Sequence, residues 1–291
     1  MSSVAYEIVD VFTDRPFTGN PLAVVFGAED LAGSQMQELA REFNLSETVF
    51  VLPPTPGAAA TYRARIFTPN SELPFAGHPS VGAAVTASAR GMFAAGAVVQ
   101  ECGAGLLPVV VSGSTATLTG GTATVGEPLD PAPLLAAVGL TADDLDPAGP
   151  PRIAGCGLEF PYLPVRADAV ARARLDTGAA DGVAAHSIDV FSWDPQSRTA
   201  HVRVFVPGLS VPEDPATGSA ALGLGVWLVT SGLLPADGES GYVVHQGLEL
   251  HRPSVLECVV TAASGAVTTA RVTGSVVPIA RGEMAVPPFV G

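Results

Sequence analysis

The segment Ala64-Arg-Ile-Phe-Thr-Pro69 recurs as Val202-Arg-Val-Phe-Val-Pro207. Shortly after each comes a polar residue, a proline and a run of small residues. The first run is His78-Pro-Ser-Val-Gly-Ala-Ala84 and the second is Asp214-Pro-Ala-Thr-Gly-Ser-Ala220. Both copies read as strand, proline-containing loop and small-residue helix. A chain with 26 Pro and 32 Gly could produce one such match by chance, but the shared order of four features favours duplication. The windows Pro79–Ala89 and Pro215–Ser231 carry small apolar residues all round, as helices inside a protein do, and each has a proline in its expected first turn. The duplication predicts an α+β fold of two pseudo-symmetric strand-rich barrels, each around a central helix. The halves are expected at Met1–Gly121 and Pro128–Val276, with the tail Val277–Gly291 returning to the first.

The rest of the chain reads as short strands. β-Branched or aromatic runs bounded by Gly, Pro, Asp and Asn occur at Tyr6–Phe12, Leu22–Phe26, Thr48–Leu52, Tyr62–Phe67, Val98–Glu101, Leu107–Val111 and Thr115–Leu118. Further runs lie at His186–Trp193, His201–Val206, Tyr242–His245, Leu256–Val260 and Ala270–Thr273. Ser34–Phe43 has Met36, Leu39, Ala40 and Phe43 at helical spacing. The proline-rich stretches Gly126–Pro133 and Asp146–Pro151 read as a linker.

Composition excludes several classes of function. At 291 residues the chain is one large domain or two ordinary ones. Acidic residues number 28 and basic ones 14, giving a net charge of −14 and no basic footprint for nucleic acid. All 14 basic residues are Arg. Without lysine there is no Schiff-base amine, no pyridoxal phosphate anchor and no Walker-type phosphate loop. Cys102, Cys156 and Cys258 are far apart and odd in number, which argues for free thiols rather than a disulfide framework. No CxxC, HExxH or histidine pair with ligand spacing occurs. The start MSSVAYEIVDVF lacks the marks of a signal peptide, and the apolar run at Ala220–Val229 is too short to cross a bilayer. A cytoplasmic protein with no membrane or nucleic-acid partner is expected. The low charge and high apolar fraction suggest surface covered by a second subunit, hence a homodimer.

The two inner helices have a chemical consequence. A helix N-terminus presents free amides and about half a positive charge, so two facing each other across an interdomain cleft would grip an anion. His78 and Asp214 are expected at the two cap positions. Asp is a good structural cap, whereas His is a poor one and asks for another explanation. Gly77 follows the turn-rich Glu72-Leu-Pro-Phe75, where backbone amides would converge. A small carboxylate is the expected guest. Glu47, in Asn44-Leu-Ser-Glu-Thr-Val-Phe50, stands immediately before an apolar strand with Ser46 and Thr48 beside it. A lone strand-edge Glu is most often simply solvated. A carboxyl pushed into an apolar site, however, has a raised pKa and can exchange a proton near neutral pH.

The chain resembles the PhzF family of phenazine-biosynthesis-type isomerases, which share the diaminopimelate-epimerase fold. The resemblance rests on Val9-Asp-Val-Phe-Thr-Asp-Arg-Pro-Phe-Thr-Gly-Asn-Pro-Leu-Ala-Val-Val25, Asn44-Leu-Ser-Glu-Thr48 and Phe67-Thr-Pro69. Also part of it are Leu73-Pro-Phe-Ala-Gly-His-Pro79, Glu213-Asp-Pro-Ala-Thr-Gly-Ser-Ala-Ala221 and Gln246-Gly-Leu-Glu-Leu-His-Arg-Pro-Ser254. Only Gly126–Asp181 matches almost nothing. The resemblance implies that Glu47 is the acid/base residue moving a proton between two carbons. It implies that His78 and Asp214 orient the substrate, and that Ser219 with the amides of Gly77 and Gly218 binds its carboxylate. Asn20 and Ser46, inside matched motifs, are counted with the substrate-binding residues. Related epimerases use two facing cysteines; here those places hold approximately Ala76 and Asp214, so two-thiol racemisation is disfavoured. A dimer is implied as well.

The expected activity is therefore a cofactor-independent isomerase acting on a small conjugated or cyclic amino or hydroxy carboxylate of secondary metabolism. The model substrate is a dihydro-hydroxyanthranilate. Two alternatives stand beside it: hydrolytic C–C cleavage of a related acid on the same scaffold, and a non-catalytic binding protein. A metal held by Glu47, His78 and Asp214 is disfavoured because no two of them share a helical face or a short spacing.

Overall fold

A computed structural model of the chain describes residues 2–181, 183, 187–207 and 211–289. The chain divides into two units, Met1–Thr119 with Thr273–Gly291, and Gly120–Val272. His186, expected to open a strand, and Val290 and Gly291 of the tail lie outside the described residues.

The first unit holds β1 (Ser3–Val11), β2 (Asn20–Phe26), α1 (Gly33–Phe43), β3 (Glu47–Leu52), β4 (Tyr62–Phe67), β5 (Glu72–Leu73), α2 (Gly77–Ala89), β6 (Gly96–Cys102), β7 (Gly105–Ser112) and β8 (Thr115–Thr119). In the second unit are β9 (Ala123–Pro128), α3 (Pro131–Ala137), β10 (Arg152–Cys156), β11 (Glu159–Pro164), α4 (Ala167–Val170), α5 (Thr177–Ala180) and β12 (Ile188–Asp194). They are followed by β13 (Thr199–Phe205), β14 (Glu213–Asp214), α6 (Gly218–Thr230), β15 (Gly238–Gln246) and β16 (Ser254–Ala263). The long β17 (Ala266–Ala285) then carries the chain back into the first unit.

The first unit closes into a barrel. β1 pairs with β2, β2 runs parallel to β3, β3 and β4 are antiparallel, and β4 runs parallel to β6. β6–β7–β8 form a meander, and β17 joins β8 to β1. Inside lies α2, whose residues from Gly77 to Ala87 are all buried. The core needs a close approach here: a Cβ on Gly82 would fall against Val11 and Leu22 of the wall. The strand β3 is covered on both faces, hence its unbroken apolar run. Phe50 and Leu52 pack with Met36 and Leu39 of α1, so the alternate residues Glu47, Val49 and Val51 face α2.

The second unit repeats this order. β11 runs parallel to β12, β12 and β13 are antiparallel, β13 pairs with β14 and runs parallel to β15. Its helix α6 is buried from Gly218 to Val229. Here Ile188 and Val190 face a cluster with Leu134, Val138, Ala169 and Ala180, while Phe191 meets Trp227 of α6 edge-on. The repeat extends to side chains. In the first unit Arg65 grips Glu72 with two hydrogen bonds of 2.8 and 2.7 Å, and in the second Arg203 grips Glu213 with two of 2.9 and 2.7 Å. The fold is the α+β, diaminopimelate-epimerase-like arrangement expected from sequence.

Two readings need correction. The stretch expected as a linker, Gly126–Pro133, instead completes β9 and opens α3, with Asp130 capping the helix through Ala132 N at 3.0 Å. The helix expected from Pro215 begins at Gly218. Asp214 is held extended in β14 by Val204, and a residue before proline is disfavoured in helix.

Candidate functional site

Strand alternation brings Glu47 to the face of β3 that meets the start of α2. His78 is the second residue of that helix and is 3% exposed. Ser46 donates its hydroxyl proton to Asn20 Oδ1 at 3.0 Å, which fixes the amide so that Nδ2 faces His78 Nδ1 at 3.2 Å. The amide donates, so Nδ1 accepts, and the ring proton belongs on Nε2. That nitrogen lies 3.7 Å from Glu47 Oε2. Burial pushes the imidazole from its ordinary 6.5 down to about 3, so His78 is neutral at physiological pH. Ser46, Asn20 and His78 thus form a chain that ends in an N–H aimed at a carboxyl group. Gly77 precedes His78 as the first residue of α2, where the amides have no intrahelical acceptor.

The second unit places Asp214 beside the start of α6. Thr217, the N-cap, donates its hydroxyl to Asp214 Oδ2 at 2.6 Å. Gln246, 1% exposed at the end of β15, locks this corner. Its Oε1 accepts from Thr217 N at 3.0 Å, and its Nε2 donates to Asp214 O at 2.7 Å and to Thr217 Oγ1 at 3.0 Å. Gly218 and buried Ser219 open the helix.

The expectation that His78 and Asp214 cap the two helices is overturned. The caps are Ala76 and Thr217, and neither makes a side-chain cap hydrogen bond to the helix. Register explains the error. Ile66 pairs with Leu73 as Val204 pairs with Asp214, and Phe67 with Glu72 as Phe205 with Glu213. Counting on from these pairs, His78 corresponds to Ser219, and Asp214 to Leu73. By the same count Ala76 corresponds to Thr217.

The structure thus gathers Asn20, Ser46, Glu47, Gly77 and His78 in the first unit, and Asp214, Gly218 and Ser219 in the second. Sequence reasoning missed Thr217 and Gln246 as the residues that hold Asp214. Both stand inside the motifs quoted for the family, but nothing local places them side by side. Among the described residues no group of three or more His, Cys, Asp or Glu side chains is arranged to hold a metal ion. No described helix is long and apolar enough to cross a membrane.

Residues 9–282 match the family of phenazine biosynthesis-like proteins, PhzC-PhzF. A Mesorhizobium japonicum protein named as an uncharacterized isomerase is 37% identical, over 98% of this chain and 99% of that one. A trans-2,3-dihydro-3-hydroxyanthranilate isomerase of Pseudomonas fluorescens is 33% identical, over 96% and 98%. A PhzF-family crystal structure from Bacillus anthracis superposes with a TM-score of 0.89 at 26% identity, over 98% and 100% of the two chains. The chain belongs to the PhzC-PhzF family. Its curated relatives are isomerases, and it is an enzyme of that class.

Proposed function

We propose that the protein is a cofactor-independent isomerase that moves a proton between two carbons of a small conjugated or cyclic amino or hydroxy carboxylate, with Glu47 as the acid/base group. The observation that carries this reading is the Ser46–Asn20–His78 chain, which aims a neutral imidazole N–H at Glu47 Oε2. In the proposed step the Glu47 carboxylate takes a proton from a substrate carbon. The released electron pair spreads into the conjugated system, the double bonds shift, and the Glu47 carboxylic acid returns the proton to a second carbon. Nothing is gained or lost overall. His78 orients the carboxyl and stabilises its charged form through one N–H, without changing its own protonation.

In the first unit the free amides at the start of α2 are proposed carboxylate-binding groups. In the second unit those at the start of α6, with Ser219, are proposed for the same role, and Asp214 is the proposed holder of a polar substrate group. A homodimer in the cytoplasm is part of the same proposal. The compound named for the Pseudomonas fluorescens relative, trans-2,3-dihydro-3-hydroxyanthranilate, is the first substrate to test. Incubation in deuterated water followed by mass spectrometry and NMR gives the answer. An isomer of unchanged composition, apart from exchanged deuterium, supports the proposal; a product that has added water means hydrolysis and refutes it.

A further inference from the structure

Asp189 is a buried acid that the proposed proton transfer does not use. It lies on β12 with 1% exposure, and neither carboxyl oxygen finds a hydrogen-bond partner among the described residues. Buried polar groups without partners are rare and costly. Burial also pushes this carboxyl well above the usual range, disfavouring its charged form.

Register shows where it points. Tyr162 pairs with Asp189, Asp189 with Val204, and Val204 with Asp214. In-register residues share a face, so the four form one row across the sheet. The row looks toward α6, because Tyr162 donates its hydroxyl to Ala220 O at 2.6 Å. The Asp189 carboxyl is close enough to oppose ionisation of that phenol. The duplicated row of the first unit is Val24, Val49, Ile66 and Leu73, all apolar. The same wall in the first unit thus carries valine where the second unit has Asp189.

We propose that Asp189 is a positioning residue of the second unit's ligand site, acting on the first turn of α6 through Tyr162, its direct neighbour in the row. The inference rests on the proposed function only for what that site binds. Burial that opposes ionisation of Asp189 leaves the Tyr162 proton on Ala220. A valine there offers nothing polar, and an ionised acid would compete with Ala220 for the phenol proton.

The test compares Asp189→Val and Asp189→Asn with the parent protein, ligand-free, by melting temperature and by amide hydrogen exchange. Asp189→Val should melt about 4 °C or more higher, since an unsatisfied polar group is gone. Exchange at the amides of Ala221, Leu222 and Gly223 should nevertheless quicken at least tenfold, and Asp189→Asn should restore the parent rates. Higher melting with unchanged exchange would show a merely tolerated acid and overturn the proposal. Lower melting of Asp189→Val would show a structural role and overturn it too. Turnover of trans-2,3-dihydro-3-hydroxyanthranilate supplies a separate readout, with kcat/KM expected to fall at least tenfold in Asp189→Val and to be rescued by Asp189→Asn. A parent protein inactive on that compound counts against the proposed function and leaves the exchange result to decide on Asp189.

Discussion

Acidification should destabilise the protein through His78, and the size of the effect follows from its burial. The unfolded imidazole titrates near 6.5, and burial holds the folded one at about 3. Below pH 6.5 the unfolded chain binds a proton that the folded site refuses, so stability falls as pH drops and levels off only near the folded value. At pH 5 the solution lies about 1.5 units below the unfolded value, and at ~1.4 kcal/mol per unit the loss is about 2 kcal/mol. Glu47 at 3.7 Å favours the charged ring, but burial outweighs it. Other groups titrate as well, so the measurement is a difference. His78→Gln can still accept from Asn20 Nδ2 but has no proton to bind. The melting-temperature gap between parent and variant should shrink by about 4–8 °C between pH 7.5 and pH 5. The His78 ring signals in NMR should stay in the neutral, Nε2-protonated form throughout that range. Parallel melting curves, or a His78 titration near 6.5, would refute both the buried neutral imidazole and the donor role built on it.

Three further outcomes follow from geometry. The paired Arg–Glu clamps differ in burial, with side-chain exposures of 5% and 9% for Arg203 and Glu213 against 27% and 43% for Arg65 and Glu72. Arg203→Ala should therefore cost about 3–5 kcal/mol and Arg65→Ala about 1 kcal/mol or less, read by denaturant unfolding. Gly82→Val should lower the melting temperature sharply, because the side chain would enter space held by Val11 and Leu22. Gln246→Leu should raise KM more than it lowers kcat, since it releases Thr217 and Asp214 while leaving Glu47 and His78 in place.

The repeated strand-loop-helix segment was legible because its signals are local. Arg65 and Arg203 fall at matching places, and the small-residue windows can only be inner helices. Glu47 was legible for the same reason, as a carboxyl at the head of an apolar strand. The segment at 126–181 was not. β10 and β11 carry Gly155, Pro161 and Pro164, which break a strand pattern, yet pairing with β9 and β12 holds them in the sheet. The start of α6 was placed too early because Pro215 imitates a first-turn proline, and only the pairing of Asp214 with Val204 reveals the extended backbone. Gln246 and Thr217 meet across a long stretch of chain, beyond the reach of any local rule. Asp189 hid inside a run that reads simply as a buried strand.

The claim that Glu47 carries the proton is tested most directly by Glu47→Gln in deuterated water with trans-2,3-dihydro-3-hydroxyanthranilate as substrate. Glutamine keeps the shape and the hydrogen-bonding reach toward His78 but cannot take up or release the proton. A positioned general acid or base contributes about 10²–10⁴-fold, and a group that handles both transfers belongs at the upper end. The parent enzyme should form product and place deuterium at the newly protonated carbon. The variant should bind the substrate with affinity near that of the parent, melt within a few degrees of it, and turn over at least about a thousandfold more slowly without incorporating deuterium. Turnover within about tenfold of the parent would contradict the assignment and leave Glu47 as a structural carboxylate.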